Sequence, residues 1–162
     1  MSASPLALDY ASPIPRAGRP RWLSRGQAAV ELALCMPLLL ALFIAVAETG
    51  RAFYIAISVS NAARAGVQYG AQNLSTAGDN AGMRQAAIND APNIAGMTVI
   101  ATHFCKCSDG SASTCLSTDC TGSHRLLYAQ VNTSAQYTPV INYAGIMQTT
   151  TVPGLAVMRV IQ

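Results

Sequence analysis

The chain has 162 residues, of which 51% are hydrophobic and only 10% are charged. Since charged residues make up about a quarter of an ordinary soluble domain, this composition fits one modest domain joined to a membrane element. The net charge of +3 lies entirely before Gly26, where four arginines oppose a single aspartate, and the remaining charges cancel. A nucleic-acid-binding protein carries its basic surface on the folded domain, so we expect no nucleic-acid partner.

Residues 1–26 predict a basic leader without a folded core. Four prolines are spread among serine, alanine and arginine in this stretch, a composition that buries too little apolar surface to fold. We expect this leader to be disordered and to be removed from the mature protein.

Residues 27–48 predict a transmembrane helix. The stretch from Gln27 to Ala47 is roughly 20 residues with one charge, Glu31, which is enough to cross the hydrocarbon core. The arginines before it predict a cytoplasmic N-terminus, with the C-terminal domain periplasmic or extracellular. A cleaved secretory signal would have a shorter apolar core that ends in a small-residue cleavage site, which this stretch lacks. Pro37 predicts a bend within the span.

Residues 49–72 predict an amphipathic helix that continues the transmembrane segment. Small apolar residues recur at helical spacing, and polar residues fall largely on another side. Such a stripe lets another backbone approach closely. Gly50 weakens the junction by about 1 kcal/mol without ending the helix. The stripe consists of Ala52, Ala56, Val59, Ala63, Gly66 and Gly70.

Residues 73–162 predict a small extracytoplasmic α+β domain. A short helix is expected from about Asn80 to Ala91, because Pro92 stops it. Alternating apolar residues predict strands in GMTVIATHFCKC, RLLYAQVNTSAQYTPV and TTTVPGLAVMRVIQ, the last with Pro153-Gly154 as a turn or edge interruption. We expect an antiparallel sheet with helices packed on one face.

Four cysteines lie in a loop rich in Ser, Asp, Gly and Thr: Cys105, Cys107, Cys115 and Cys120. In an exported protein this pattern predicts two disulfides. A bond between Cys105 and Cys107 would be strained, which leaves 105–115 with 107–120, or 105–120 with 107–115. The nested second pairing resembles the rungs of a hairpin, and we favour it. The alternative is a zinc site, for which the C-x-C spacing is a poorer clamp than C-x2-C.

The remaining polar residues predict no catalysis, no cofactor and no bound metal. His103 and His124 flank the cysteine loop and would join a mixed zinc site, but without a nucleophile partner we interpret both as surface residues. Glu48 and Arg51 are three apart on a helix and are expected to pair. The acidic residues in turns and at helix ends are expected to cap backbone groups. They are Asp79, Asp90, Asp109 and Asp119.

The segment RGQAAVELALCMPLLLALFIAVAETGRAFYIAISVSNAARAGVQYGA places Gly26 at the end of the leader and Glu31 five residues later. This combination resembles the processing site of type IV pilins. The whole segment, the cysteine loop and the ending LAVMRV are similar to the TadE-like family of tight-adherence (Tad/Flp) pilus proteins. Two positions depart from related patterns, since pilin sites usually have Phe where Gln27 stands and Flp subunits have an aromatic where Leu32 stands.

The resemblance implies a membrane-anchored minor pseudopilin of the bacterial inner membrane. It implies cleavage by a prepilin peptidase between Gly26 and Gln27, and contacts with other pilin-like subunits and the tight-adherence secretion machinery. It also implies that Glu31 meets the freed N-terminal amine of a neighbouring subunit, since a buried carboxylate needs a partner. In the alternative interpretation Glu31 is solvated near the headgroups. The alternative function is a metal- or ligand-binding envelope domain on an uncleaved signal anchor.

Overall fold

The computed structural model describes residues 23–116, 118–140 and 148–161. The predicted leader up to residue 22 therefore lies outside the described residues. The chain divides into two compact units, Met1–Phe43 and Ile44–Gln162. The elements in chain order are α1 (Leu23–Gly70), α2 (Leu74–Gly78), α3 (Asn80–Asp90), β1 (Thr98–Cys107), β2 (Ala112–Ser113), β3 (Arg125–Tyr137) and β4 (Thr150–Arg159).

The α1 helix is one element of 48 residues. It is rich in Ala and Leu, which favour helix, and it continues through both Pro37 and Gly50. The predicted continuity of the apolar and amphipathic segments is therefore confirmed. The bend at Pro37 stays a prediction.

Side-chain caps form the turns that follow α1. The Asn73 side chain accepts a hydrogen bond from the Thr76 backbone, and the Thr76 hydroxyl accepts one from the Asn73 backbone, which makes a capping box. Asp79 caps α3 by accepting from the Gly82 N–H at 2.9 Å. Its other carboxylate oxygen accepts from the Tyr69 hydroxyl at 2.9 Å. These contacts confirm the predicted capping role of Asp79, and they connect the end of α1 to the start of α3. The short α2 between these two helices was not predicted.

The sheet is antiparallel throughout and has the order β2-β1-β3-β4. In the edge strand β4, Pro153 lies opposite Ser134. Val160 donates to the Leu127 carbonyl in the same ladder, so Ser134 and Pro153 form a non-hydrogen-bonded pair. The missing N–H of Pro153 therefore faces the outer edge, which is why the strand continues through it. The prediction of a small antiparallel sheet after a long helix is confirmed.

The helices cover one face of this sheet. Its buried residues alternate along the strands as predicted, with Val99 and Ala101 on β1 and Ala129 and Val131 on β3. Together with residues from all three helices they form one core. The opposite face of the sheet is exposed or half-buried along its length.

The stripe of small residues on α1 permits its close contact with the sheet and with α3. A Cβ added at Gly66 would lie 2.8 Å from the Met83 carbonyl oxygen and 3.2 Å from Val131 Cγ1. Near the end of the helix, a Cβ added at Gly70 would lie 3.0 Å from Ala129 Cβ. The stripe was predicted to pack closely against another backbone. Part of that backbone belongs to the chain's own outer domain.

The disulfides pair Cys105 with Cys115 and Cys107 with Cys120, with Cα–Cα distances of 5.1 and 5.5 Å. The favoured nested pairing, 105–120 with 107–115, is wrong. The hairpin is tighter than that pairing assumed, because the Cys107 N–H donates to the carbonyl of Ser111. Ser111 thus occupies the position opposite Cys107, and Cys115 turns back towards Cys105 with a φ of 71°.

Candidate functional site

Every residue from 26 to 47 in α1 is exposed, and Glu48 is the first buried one. Among the described residues, the helical stretch Gly26–Gly70 is long and apolar enough to cross a membrane by length and composition. So large an apolar surface does not stay uncovered in water. The segment fits a membrane anchor.

Gln27 and Glu31 lie on the same side of α1, one turn apart. The Gln27 Nε2 donates to Glu31 Oε1 at 3.2 Å. Gly26 lies on α1 three residues after Leu23, the first residue of this helix that the structure describes.

Glu48 joins the start of the outer part of α1 to the end of β3. It is only 6% exposed. Its carboxylate accepts from the Tyr137 hydroxyl at 2.5 Å and from the Val140 N–H at 3.1 Å. Arg51 Nη1 lies 3.3 Å from Glu48 Oε2, which confirms the predicted ion pair. A buried charge is tolerated when it is paired and hydrogen-bonded in this way.

The phenol in this junction is held in its neutral form. The hydrogen bond to Glu48, burial, and the charge of that carboxylate raise the pKa of Tyr137, and Arg51 opposes the shift. The Arg51 guanidinium also lies 5.9 Å from the centroid of the Tyr137 ring. The phenol therefore remains a hydrogen-bond donor across the physiological pH range, and it can hold α1 against the sheet.

Sequence reasoning missed Tyr137 and Val140 as partners of Glu48. They are 89 and 92 residues away along the chain, so no local spacing connects them. One signal was present, since a tyrosine on the buried side of a strand needs a partner for its hydroxyl. That signal does not identify which carboxylate it meets.

A second polar centre stabilises the disulfide loop. The Asp119 carboxylate accepts from the Thr114 N–H and hydroxyl at 2.6 and 2.7 Å, and from the Ser113 hydroxyl at 3.0 Å. The hydrogen bond from the Thr114 hydroxyl is the main cause of the lowered pKa of Asp119, and burial opposes it. Asp109 similarly accepts from the Ser111 N–H. The turn-capping role predicted for these two aspartates is confirmed.

The candidate zinc ligands are not assembled into a site. The four loop cysteines are bonded in pairs, so they offer no thiolate to a metal. His103 and His124 are both exposed, as predicted. Within the part of the chain that the structure describes, no three His, Cys, Asp or Glu residues are grouped as metal ligands.

Comparison with known families identifies the helix rather than the sheet domain. Residues 26–68 match the family model described as TadE-like protein. This helix is TadE-like. The resemblance noted in the sequence is therefore confirmed over residues 26–68, and the family implies involvement in assembly of the tight-adherence pilus. The match includes Gly26, Glu31 and Glu48, and it ends before the sheet begins. No curated protein and no solved structure matches the chain.

Proposed function

We propose that this TadE-like protein is a membrane-anchored minor pseudopilin that a prepilin peptidase processes between Gly26 and Gln27. The observation that carries the proposal is the Glu31 carboxylate inside an exposed apolar helix, five residues after Gly26, in a segment that matches the TadE-like family model. The inner membrane, with the N-terminus cytoplasmic, is the proposed location.

The chemistry of processing explains a carboxylate inside an apolar helix. Removal of residues 1–26 removes the basic charge that holds the N-terminus at anionic headgroups. It also creates an amine on Gln27, about 6 Å along the helix from Glu31. In the structure, one Glu31 oxygen accepts a hydrogen bond from the neutral amide of the Gln27 side chain. A neighbouring subunit's N-terminal amine would supply a positive charge to pair with Glu31.

The Glu48 junction fixes the sheet domain to the helix that anchors the proposed pseudopilin. Glu48 is bonded to the strand end through Tyr137 and Val140, and small residues farther along α1 contact the sheet. Forces on the outer part of α1 would therefore reach the whole domain. We propose that other pilin-like subunits and the tight-adherence secretion machinery are the partners of this unit.

Processing is tested by N-terminal sequencing of the protein from the membrane of a pilus-producing host. We expect Gln27 as the first residue, and we expect Gly26→Leu to block the cut. Gly50→Leu is the matched control, because neither glycine has a neighbour within 4 Å of an added Cβ. It should be cut normally. A mature chain that begins near residue 1, or beyond Ala47, would refute the pseudopilin proposal.

The role of Glu31 is tested separately from the cut. Glu31→Gln keeps the side-chain shape but removes the charge, so we expect normal cleavage with impaired pilus assembly. The assay combines N-terminal sequencing with counting pili by electron microscopy. Normal piliation of the cleaved Glu31→Gln variant would mean that the carboxylate is only solvated, and the assembly role would be abandoned.

A further inference from the structure

A polar cavity lies between α1, the segment before β1 and the end of β3. Its volume is about 360 Å³, within the range of about 300–1,000 Å³ for small-ligand sites. All of the residues that line it belong to the unit Ile44–Gln162. Among the lining residues that the structure describes, none is Asp or Glu. The polar ones are Arg51, Tyr54, Asn93, Gln136 and Thr138. The cavity therefore suits an anionic ligand with several hydrogen-bond acceptors.

Arg51 supplies the positive charge of the cavity. Its side chain is 48% exposed, and both of its hydrogen bonds to Glu48 come from Nη1, at 3.3 and 3.4 Å. A guanidinium carries five N–H groups in one plane, so Nε and Nη2 can donate to a ligand while the ion pair stays intact. The Glu48 carboxylate also accepts from Tyr137 and Val140. Planar donors of this kind match the oxygens of a phosphate group.

The cavity is close along the chain to the end of the apolar segment. Exposed apolar residues of α1 continue to Ala47, and Arg51 and Tyr54 follow it by about 6 and 10 Å along the helix. The headgroup layer of a bilayer is about 5–8 Å thick on each side, and tyrosine is enriched in that layer. The phosphates of phospholipids are the acceptors that this layer offers to the cavity.

The helix face that bears Arg51 also offers an apolar path towards the cavity. Ile44 and Ala47 precede Arg51 by seven and four residues, so they share its face of α1. Both are exposed, and both belong to the same compact unit as the cavity. An acyl chain that lies along these two residues would bring its phosphate to the guanidinium. Phe53 and Tyr54 are 64% and 56% exposed beside it, as expected of aromatic residues at a membrane interface.

We propose that this cavity binds the phosphodiester of a membrane phospholipid, with the phosphate on Arg51 and an acyl chain along Ile44 and Ala47. The hydroxyl and amide side chains of the cavity donate to the remaining headgroup oxygens. The bound lipid would hold the sheet domain at the membrane surface. This inference needs the membrane anchor, but it does not depend on processing at Gly26 or on the role of Glu31.

The test is native mass spectrometry of the full-length protein in detergent micelles, titrated with phosphatidylglycerol. We expect a single lipid to bind before any others. Arg51→Gln should raise its apparent dissociation constant roughly tenfold, through loss of a charge-assisted hydrogen bond. Arg64→Gln is the matched control, because Arg64 is an exposed arginine on the same helix outside the cavity. It should bind the lipid like the parent.

A second variant tests the cavity without disturbing the Glu48–Arg51 pair. Ala95→Phe places a ring in the cavity, which Ala95 lines, and should weaken binding of the lipid at least tenfold. Ala81→Phe, at an exposed position on α3, is the control and should leave binding unchanged. Near-ultraviolet circular dichroism of the tyrosines verifies the fold of each variant. If Arg51→Gln does not fold, the comparison of the two phenylalanine variants decides.

Two ligands distinguish the source of the phosphate. Glycerol phosphate lacks the acyl chains and diacylglycerol lacks the phosphate, so we expect both to bind at least tenfold more weakly than phosphatidylglycerol. Glycerol phosphate that bound as tightly would make the ligand a free phosphate ester, and diacylglycerol that bound as tightly would leave only apolar contact. Either result would overturn the proposal. So would equal lipid binding by a cavity variant and its control.

Discussion

Replacing Gly154 with alanine should separate α1 from the sheet. A Cβ at this position on β4 would lie 2.8 Å from the Val59 carbonyl oxygen, and it would also overlap the Thr133 hydroxyl. That hydroxyl donates to the same Val59 carbonyl at 2.7 Å. Since the obstacle is helix backbone rather than a flexible side chain, the helix or the strand must move.

The magnitude follows from these contacts. Overpacking costs about 1–3 kcal/mol, and loss of the Thr133 hydrogen bond adds about 1 kcal/mol. Alanine restricts the unfolded chain more than glycine does, which offsets about 0.4–1 kcal/mol of this loss of stability. The free energy of unfolding should therefore fall by about 1–4 kcal/mol, which lowers the Tm of a domain this size by roughly 5–15 °C.

The assay is thermal unfolding of the full chain in lipid nanodiscs, followed by near-ultraviolet circular dichroism of the tyrosines. Gly78→Ala is the control, because an added Cβ there has no neighbour within 4 Å, and its Tm should stay within about 2 °C of the parent. If Gly154→Ala also melted within about 2 °C of the parent, the close approach of β4 to Val59 would not exist as described.

Three further outcomes are expected. Intact mass without reductant should be about 4 Da below the reduced mass, and peptide mapping should join Cys107 to Cys120; a peptide joining Cys107 to Cys115 would restore the nested pairing. Because the pKa of Asp119 is lowered in the folded state, its contribution to stability is present above the ordinary pKa and is lost as the pH falls through the folded value. The Tm gap between the parent and Asp119→Asn should therefore narrow as the pH falls below about 4, and a gap that widens there would contradict the assignment. Fusions after Gln72 to a reporter that works only when exported should be active, whereas activity of a cytoplasm-only reporter there would reverse the predicted topology.

The long helix and the main strands could be predicted because their signals are local. Uninterrupted apolar composition predicted the first part of α1, and the spacing of small residues predicted the second part. Alternation along β1 and β3 identified the buried positions, such as Val99 and Val131. The Glu48–Arg51 pair was also predictable, since residues three apart on a helix are neighbours.

Contacts between distant segments could not be predicted in the same way. The way the helix lies across the sheet decides which residues contact Glu48. It also decides which backbone segments pack against Gly66 and Gly70. The disulfide pairing depended on the register of a tight hairpin that composition did not specify. The short elements α2 and β2 were missed because five and two residues are too few to establish a period.

The sequence by itself determined an apolar helix with a carboxylate near its start, a helical stripe of small residues and an alternating sheet, because each of these is a periodic property of neighbouring residues. The tertiary structure alone decided that the stripe faces the chain's own sheet and that Glu48 is bonded to the end of β3. The physical reason is that burial and pairing are set by which surfaces meet, and residues far apart in the chain make those surfaces.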